Sequence, residues 1–222
     1  MQNSPDKFPD NSLDWRFLLP ISSESKILII GHDCGHIQQY FINLGLSEVF
    51  YCIGNQPRSS NLGENETQQN ILTYDDLRVT SQLYSFFDVV VCPSGLPTGS
   101  IEVLETFDFI KKFIRPDGVL FVGFSNGIFS KKTNSYYSHP WRIKKMLKNT
   151  GYLLAGIYGA IPDQYVPEYV FPLTPRAIGF VIRHRYTYKV PNMLLRLLTS
   201  PVATTMLVNF FPAYFVMATV NI

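Results

Sequence analysis

Apolar positions along the 222-residue chain follow two alternating rhythms. KILIIG (26–31) is a continuous apolar run, the pattern of a strand covered on both faces. HIQQYFINLG (36–45) then sets Ile37, Tyr40, Phe41 and Leu44 three and four residues apart, a helical stripe closed by a glycine. EVFYCIG (48–54) predicts a second strand, NILTYDDL (70–77) a short third, and FFDVVVCP (86–93) a fourth that stops at a proline. IEVLETFDFIKKFI (101–114) predicts a helix with Ser100 as its N-cap and a basic last turn that suits the helix dipole. RPDG (115–118) reads as a turn, VLFVGFSNG (119–127) as the fifth strand with its exit loop, and WRIKKMLKNTGY (141–152) as a helix ended at Gly151. Further on, LLAGIYGAIP (153–162) and AIGFVIRH (177–184) are apolar runs among prolines, NMLLRLLT (192–199) predicts a helix, and AYFVMATV (213–220) a final strand.

Alternating strand and helix patterns predict βαβ units and an α/β fold. There is no internal repeat and no linker long enough to divide the chain, so residues 1–222 are expected to form a single domain after a flexible lead at 1–13. The uncharged stretch from Leu197 to Ile222 is interrupted by Pro201, Asn209, Pro212 and four threonines. Its apolar pieces fall short of the roughly 20 residues a span needs, so core packing is expected and no transmembrane segment. The opening MQNSPDKFPDNS lacks the features of a signal peptide, which makes the cytoplasm the expected location.

Composition supports a sizeable core, with 46% hydrophobic and 14% aromatic residues. Cys34, Cys52 and Cys92 are odd in number and form no CxxC pair, which predicts reduced thiols and no disulfide framework. The net charge of +2 hides an asymmetry. Residues 1–117 hold 8 Lys/Arg against 15 Asp/Glu (−7), and residues 118–222 hold 11 against 2 (+9). Such a field can steer an anionic substrate or a membrane surface to the C-terminal half, and it also suits a solvated face that helps hold the halves together. The basic residues are scattered and no nucleic-acid motif accompanies them, so nucleic acid is not an expected partner.

The turn GHDCG (31–35) carries two competing chemistries. A parallel sheet binds ligands at the carboxyl ends of its strands, where backbone N–H groups and a helix N-terminus can face an anionic or polar group. Glycines at Gly31 and Gly35 permit a sharp bend and close approach of a ligand. The same turn holds His32, Cys34 and His36 as a metal-ligand trio, yet zinc wants four ligands and no second Cys/His pair complements it. No metal is therefore expected. GxGxxG fits badly because Asp33 and His36 stand at glycine positions; GxGxG fits at two of three, with Asp33 in the middle. Asn55, after the second strand, is placed to bond ribose hydroxyls, and Asp75 and Asp76, after the third, to accept an adenine amino group. Pro93 and Ser94 follow the fourth strand.

In that order KILIIGHDCG, YDDL, FDVVVCPSG and IKKFIRPDGVLFVG resemble the class I S-adenosylmethionine-dependent methyltransferases over residues 14 to 127. DWRFLLP (14–20) and GYLLAGIYGAIPDQYVPEYVFPL (151–173) are similar to stretches in bacterial natural-product and peptide-tailoring members. The resemblance implies a Rossmann-like three-layer sandwich with a seven-stranded, mostly parallel sheet whose last strand is antiparallel. It also implies S-adenosyl-L-methionine held by Gly31, His32, Asp33, Gly35, Asn55, Asp75, Asp76, Pro93 and Ser94, and substrate-side insertions at 128–175 and 185–212.

Methyl transfer from a sulfonium is an in-line displacement that needs positioning and, at most, one base. His139, beside Tyr136 and Tyr137, is the leading candidate base, with Tyr137 and His36 as further catalytic candidates; His139 equally suits a cap on the helix starting near Pro140. After the fourth strand CPSG replaces the Asn-Pro-Pro-Tyr type of motif, which disfavours base or glutamine methylation. Arg142, Lys144, Arg183 and Arg185 suit an anionic acceptor, and Tyr136, Tyr137, Trp141, Tyr158 and Tyr165 an aromatic pocket. The expected reaction is O-methylation of a small-molecule or peptide-like acceptor, with a carboxylate as one target. Ile29 stands where the family has an acid, Asp33 replaces a glycine and Asn55 an acid. These departures keep a catalytically degenerate binding or partner protein open, and a nicotinamide-dependent oxidoreductase as a third reading.

Overall fold

The computed structural model describes residues 15–31, 35–53, 70–93, 95–96, 103–126, 140–161, 167–186 and 191–220. After a 3-10 turn at Trp15–Leu18 come β1 (Ile27–Ile30), α1 (Gly35–Asn43), β2 (Val49–Ile53), β3 (Ile71–Thr73), α2 (Tyr74–Val79), β4 (Phe87–Cys92), α3 (Val103–Lys111) and β5 (Ile114–Ser125). The second half supplies α4 (Pro140–Asn149), β6 (Tyr152–Ile161), β7 (Tyr169–Pro172), α5 (Pro175–Tyr186), α6 (Asn192–Leu198), α7 (Pro201–Leu207) and β8 (Ala213–Val220).

One sheet runs in the order β3-β2-β1-β4-β5-β8-β6-β7. Strands β1 to β5 are mutually parallel. β8, the expected final strand AYFVMATV, inserts between β5 and β6 and is antiparallel to both, the direction that the resemblance implied for the last strand. The sheet has eight strands, not seven. The additional one is β7, which returns antiparallel along β6 and covers an edge that would otherwise be bare, while Pro172 blunts the new edge.

Side-chain alternation sorts the strands onto two faces. Leu28 and Ile30 join Cys52, Val90, Cys92 and Val122 beneath α2, α3 and α4, which contribute Leu77, Phe107, Ile110, Ile143 and Leu147. Ile27 and Ile29 join Val89, Val91 and Phe121 beneath α1, whose Ile37 and Phe41 supply the cover. All four residues of β1 are 0% exposed, so the unbroken apolar run is a strand with helices on both sides. Trp15 stacks on Phe121 (5.0 Å between ring centroids, 14° between planes) and Phe121 on Phe215 (5.2 Å, 22°). The segment ahead of β1 is thereby pinned to the middle of the sheet.

Several boundaries differ from expectation. The third strand spans only Ile71–Thr73, because Thr73 caps a helix: its hydroxyl accepts from Asp76 N (3.1 Å) and Asp76 Oδ2 accepts from Thr73 N (2.7 Å), a capping box. RPDG is part of β5, not a separate turn. Ile114 already pairs with Phe87, and an irregularity before the Val89–Val119 pair absorbs the exposed residues and the left-handed Asp117 (φ 64°). AIGFVIRH lies within α5, and a helix not foreseen, α7, opens with Ser200 accepting from Ala203 N at 3.3 Å. Within 128–175, expected as an insertion, residues 140–161 supply α4 and β6, integral parts of the sandwich. Residues 1–13 lie outside the described residues. Among those described, no helix is long and apolar enough to cross a membrane.

Candidate functional site

The strand order turns back between β1 and β4: from β1 the chain steps one way to β2 and β3, then crosses to β4 and β5 on the other side. In such sheets the two departing connections diverge at the carboxyl edge and leave a crevice for a ligand. Gly31, Gly35, Asp75, Asp76 and Pro93 are all brought to that edge, following β1, β3 and β4. His32, Asp33, Cys34, Asn55 and Ser94 lie outside the described residues, as do Tyr136, Tyr137, His139 and Tyr165.

Gly31 is buried and its N–H donates to Cys52 O at 3.3 Å, extending the β1–β2 ladder by one residue. That donor is therefore committed to the sheet. Any backbone donors for a ligand in this turn must come from beyond it. α1 begins at Gly35, so its first turn opens at the same edge, and the His36 side chain there is exposed.

On the other side of the crevice, close packing fixes the exit of β4. Pro93 is buried and its carbonyl oxygen lies so near Gly123 of β5 that a Cβ there would collide with it. Gly95 follows in the left-handed region (φ 96°), where a side chain would be strained, and Leu96 is buried in the core beyond. This wall is built by contact between two backbones.

The floor between these walls is apolar but not wholly satisfied. Cys52 and Cys92 are buried, outside any disulfide, on the two strands that flank β1. Burial, and secondly the charge of Asp76, pushes the Cys52 thiol up to about 12. Tyr74, the first residue of α2, packs toward the same core. Its hydroxyl is inaccessible and finds no hydrogen-bond partner among the described residues. Burial, then the neighbouring Cys92 and Cys52, holds its ionisation well above the usual tyrosine range. Burying a hydroxyl without a partner costs about 1–3 kcal/mol, so this oxygen marks an unmet polar demand beneath the crevice. Sequence reasoning missed it, because within TYDDL the tyrosine passes for one more strand residue.

The two carboxylates after β3 differ. Asp76 is engaged by Thr73, with its Oδ2 accepting from both the N–H and the hydroxyl (2.7 and 2.8 Å), so its first role is to start α2. Asp75 is exposed and faces Arg78 across a loose 3.9 Å ion pair, which leaves it the more available acceptor. Ile29, two positions before Gly31, is 0% exposed in the core.

Two further residues went unremarked in the sequence. The Arg16 guanidinium is buried and lies 3.4 Å from the Tyr40 ring centroid, tying the segment before β1 to α1. Asn126, directly after β5 and 0% exposed, donates through Nδ2 to Phe211 O (2.8 Å) and to the Tyr214 hydroxyl (2.9 Å), and its N–H bonds Pro212 O (2.7 Å). A polar residue closing an apolar strand was the available signal. Of the expected acceptor-side residues, Arg142 and Lys144 are exposed on α4, with the Arg142 guanidinium 5.4 Å from the exposed Trp141 ring. Arg183 is exposed on α5 and Tyr158 is half-buried on β6. Among the described residues no group of His, Cys, Asp and Glu could hold a metal ion.

No family model matches the sequence, and no match to a curated protein reaches significance. Solved structures do match. A methyltransferase from Mesorhizobium loti described as S-adenosylmethionine-dependent superposes with a TM-score of 0.54 at 12% identity, over 92% of this chain and 94% of that one. One from Archaeoglobus fulgidus with the same description gives 0.52 at 12% identity, over 88% and 86%. A Haemonchus contortus N-methyltransferase in complex with phosphomonomethylethanolamine and S-adenosylhomocysteine gives 0.51 at 15% identity, over 93% of this chain and 52% of that one. The chain therefore has the Rossmann-like α/β fold of solved S-adenosylmethionine-dependent methyltransferases.

Proposed function

We propose that the protein transfers a methyl group from S-adenosyl-L-methionine to an oxygen of a small-molecule or peptide-like acceptor, with a carboxylate as one target. The observation that carries this reading is the crevice at the sheet's turning point: a glycine turn after β1, a close-packed exit from β4, and below them the Tyr74 hydroxyl, which has no partner among the described residues. The residues fit a nucleoside. Gly31 and Gly35 permit close backbone approach, and Asp75 is the better placed carboxylate for an exocyclic amine. Asn55, His32, Asp33, Pro93 and Ser94 complete the proposed cofactor set, with Asp76 acting through the helix it caps.

Bound S-adenosylmethionine supplies a sulfonium methyl group activated for displacement. The chain's task is then to hold the acceptor in line, keep water out and receive a proton. His139 is the proposed base, flanked by Tyr137, with His36 beside the cofactor turn. An acceptor already ionised as a carboxylate needs no base, and the basic C-terminal half favours its approach.

A catalytically degenerate binding protein is the second reading. It is favoured by the apolar, fully buried Ile29 and by Asp76's commitment to its cap. Calorimetric titration with S-adenosylmethionine, S-adenosylhomocysteine and NAD separates the readings. Both sulfur ligands are expected to bind and NAD is not; silence from both at near-millimolar concentration overturns the proposal. Gly35→Leu should abolish binding, and His139→Ala should slow turnover with cofactor affinity nearly unchanged. Binding without turnover on any acceptor supports the second reading.

A further inference from the structure

We propose that the outward faces of α5, α6 and α7 form a docking surface for an anionic lipid bilayer. These helices cover Tyr214, Phe171 and Phe211 with their inner sides, where Ile178, Val181 and Ile182 are buried. Their outer sides remain apolar. Phe180, Met193, Leu197, Val202, Met206 and Phe210 are each more than half exposed, Met193 at 86%. On α6 and on α7 the pairs Met193/Leu197 and Val202/Met206 are four residues apart, one face of each helix. The helices belong to one layer: Gly179 of α5 lies against Thr199 between α6 and α7, and Arg183 donates to the Thr199 hydroxyl at 3.5 Å. Soluble monomers seldom expose apolar groups in such concentration without a partner.

Charge selects the occupant. From residue 169 to the end the sequence carries Arg176, Arg183, Arg185, Lys189 and Arg196 and no Asp or Glu, a formal charge of +5. Arg176 and Arg183 flank Phe180 on α5 at spacings of four and three. A second copy docked symmetrically through this face would oppose like charge with like charge. An anionic bilayer supplies the opposite sign over the whole area, together with an acyl boundary for the apolar side chains. Helices of seven residues cannot span, so the mode is adsorption.

The platform is fixed and correctly placed. Asn126 bonds Phe211 O, Pro212 O and the Tyr214 hydroxyl, which locks the chain leaving α7 to the end of β5. That is the carboxyl edge of the sheet, the edge on which the crevice between β1 and β4 also opens. The surface itself does not depend on the methyl-transfer reading. Cofactor titration in free solution tests that reading separately.

The test is flotation of the full chain with phosphatidylcholine vesicles, with and without phosphatidylglycerol. Binding is expected only with the anionic lipid and should fall with added salt. The triple variant M193S/L197S/M206S, at exposed positions, should retain the wild-type circular dichroism and Tm and bind at least about tenfold more weakly. R176E and R196E should each weaken it by roughly fivefold or more. Absence of binding, equal binding to neutral vesicles, or full binding by the triple variant would overturn the proposal. So would a lipid-free dimer, seen by light scattering, that the triple variant dissolves, since the face would then belong to a second copy.

Discussion

ILII in β1 and MLLRLL in α6 are both runs dominated by large aliphatic side chains, and the folded chain treats them oppositely. All four residues of β1 are 0% exposed, whereas Met193 is 86% and Leu197 64% exposed. β1 lies mid-sheet with helices on both faces; α6 is in an outer layer covered from one side. An apolar run therefore states a need for cover without saying that the chain itself provides it. In the first region burial makes the strands intolerant of change. In the second it leaves a surface able to accept something else.

The largest expected effect comes from adding bulk where two buried backbones touch. Gly123→Val should lose about 3 kcal/mol or more in a guanidinium titration, since the obstacle is the Pro93 carbonyl and not a flexible side chain. Leu197→Ser on α6 should change the same midpoint by less than about 0.5 kcal/mol. Equal effects would break the comparison. Asn126→Leu should cost about 2 kcal/mol, because the Tyr214 hydroxyl and Phe211 carbonyl lose a buried donor, and amide exchange over 211–214 should quicken.

Alkaline pH probes the buried half selectively. Cys52 rises from its ordinary 9.0 to about 12 in the folded state, so folding holds the proton. Its contribution is fully present below about pH 9 and is lost as pH rises toward 12. Burial raises Tyr74, Tyr152 and Tyr214 as well, and they add a loss of the same sign above their ordinary value of 10.0. Denaturant midpoints measured across this range should fall, and Cys52→Ala should flatten the fall by more than about 1 kcal/mol; an unchanged slope would remove Cys52 as its source. A smaller loss than at Gly123 or Asn126 is expected at the edge of the sheet, where Thr73→Ala should cost about 1 kcal/mol by uncapping α2.

Elements with one clear period were legible from sequence. The strands ILII and FDVVVC, the helix stripe over α1 and the final strand all stand where the pattern put them, because each keeps a single period of burial along its length. Elements whose ends depend on a side-chain bond were not. NILTYDDL reads as one strand by pattern, yet the Thr73–Asp76 pair starts a helix at Tyr74. YVFP was read as part of a motif, and only the bare edge of β6 makes it an eighth strand. At the site, the glycines and the order of motifs were visible, but the commitment of Gly31 N–H to Cys52 and the burial of the Tyr74 hydroxyl are properties of strands distant in sequence.

By itself the sequence determined the alternation of buried strands and amphipathic helices, the reduced state expected of its cysteines and the opposite charge of its halves, since composition and local period need no partner in space. The tertiary structure alone decided where the sheet turns back, which carboxylate caps a helix, and which of two aliphatic-rich runs ends in the core. Those outcomes depend on what each residue meets across the fold, and a linear pattern of polarity does not encode the neighbour.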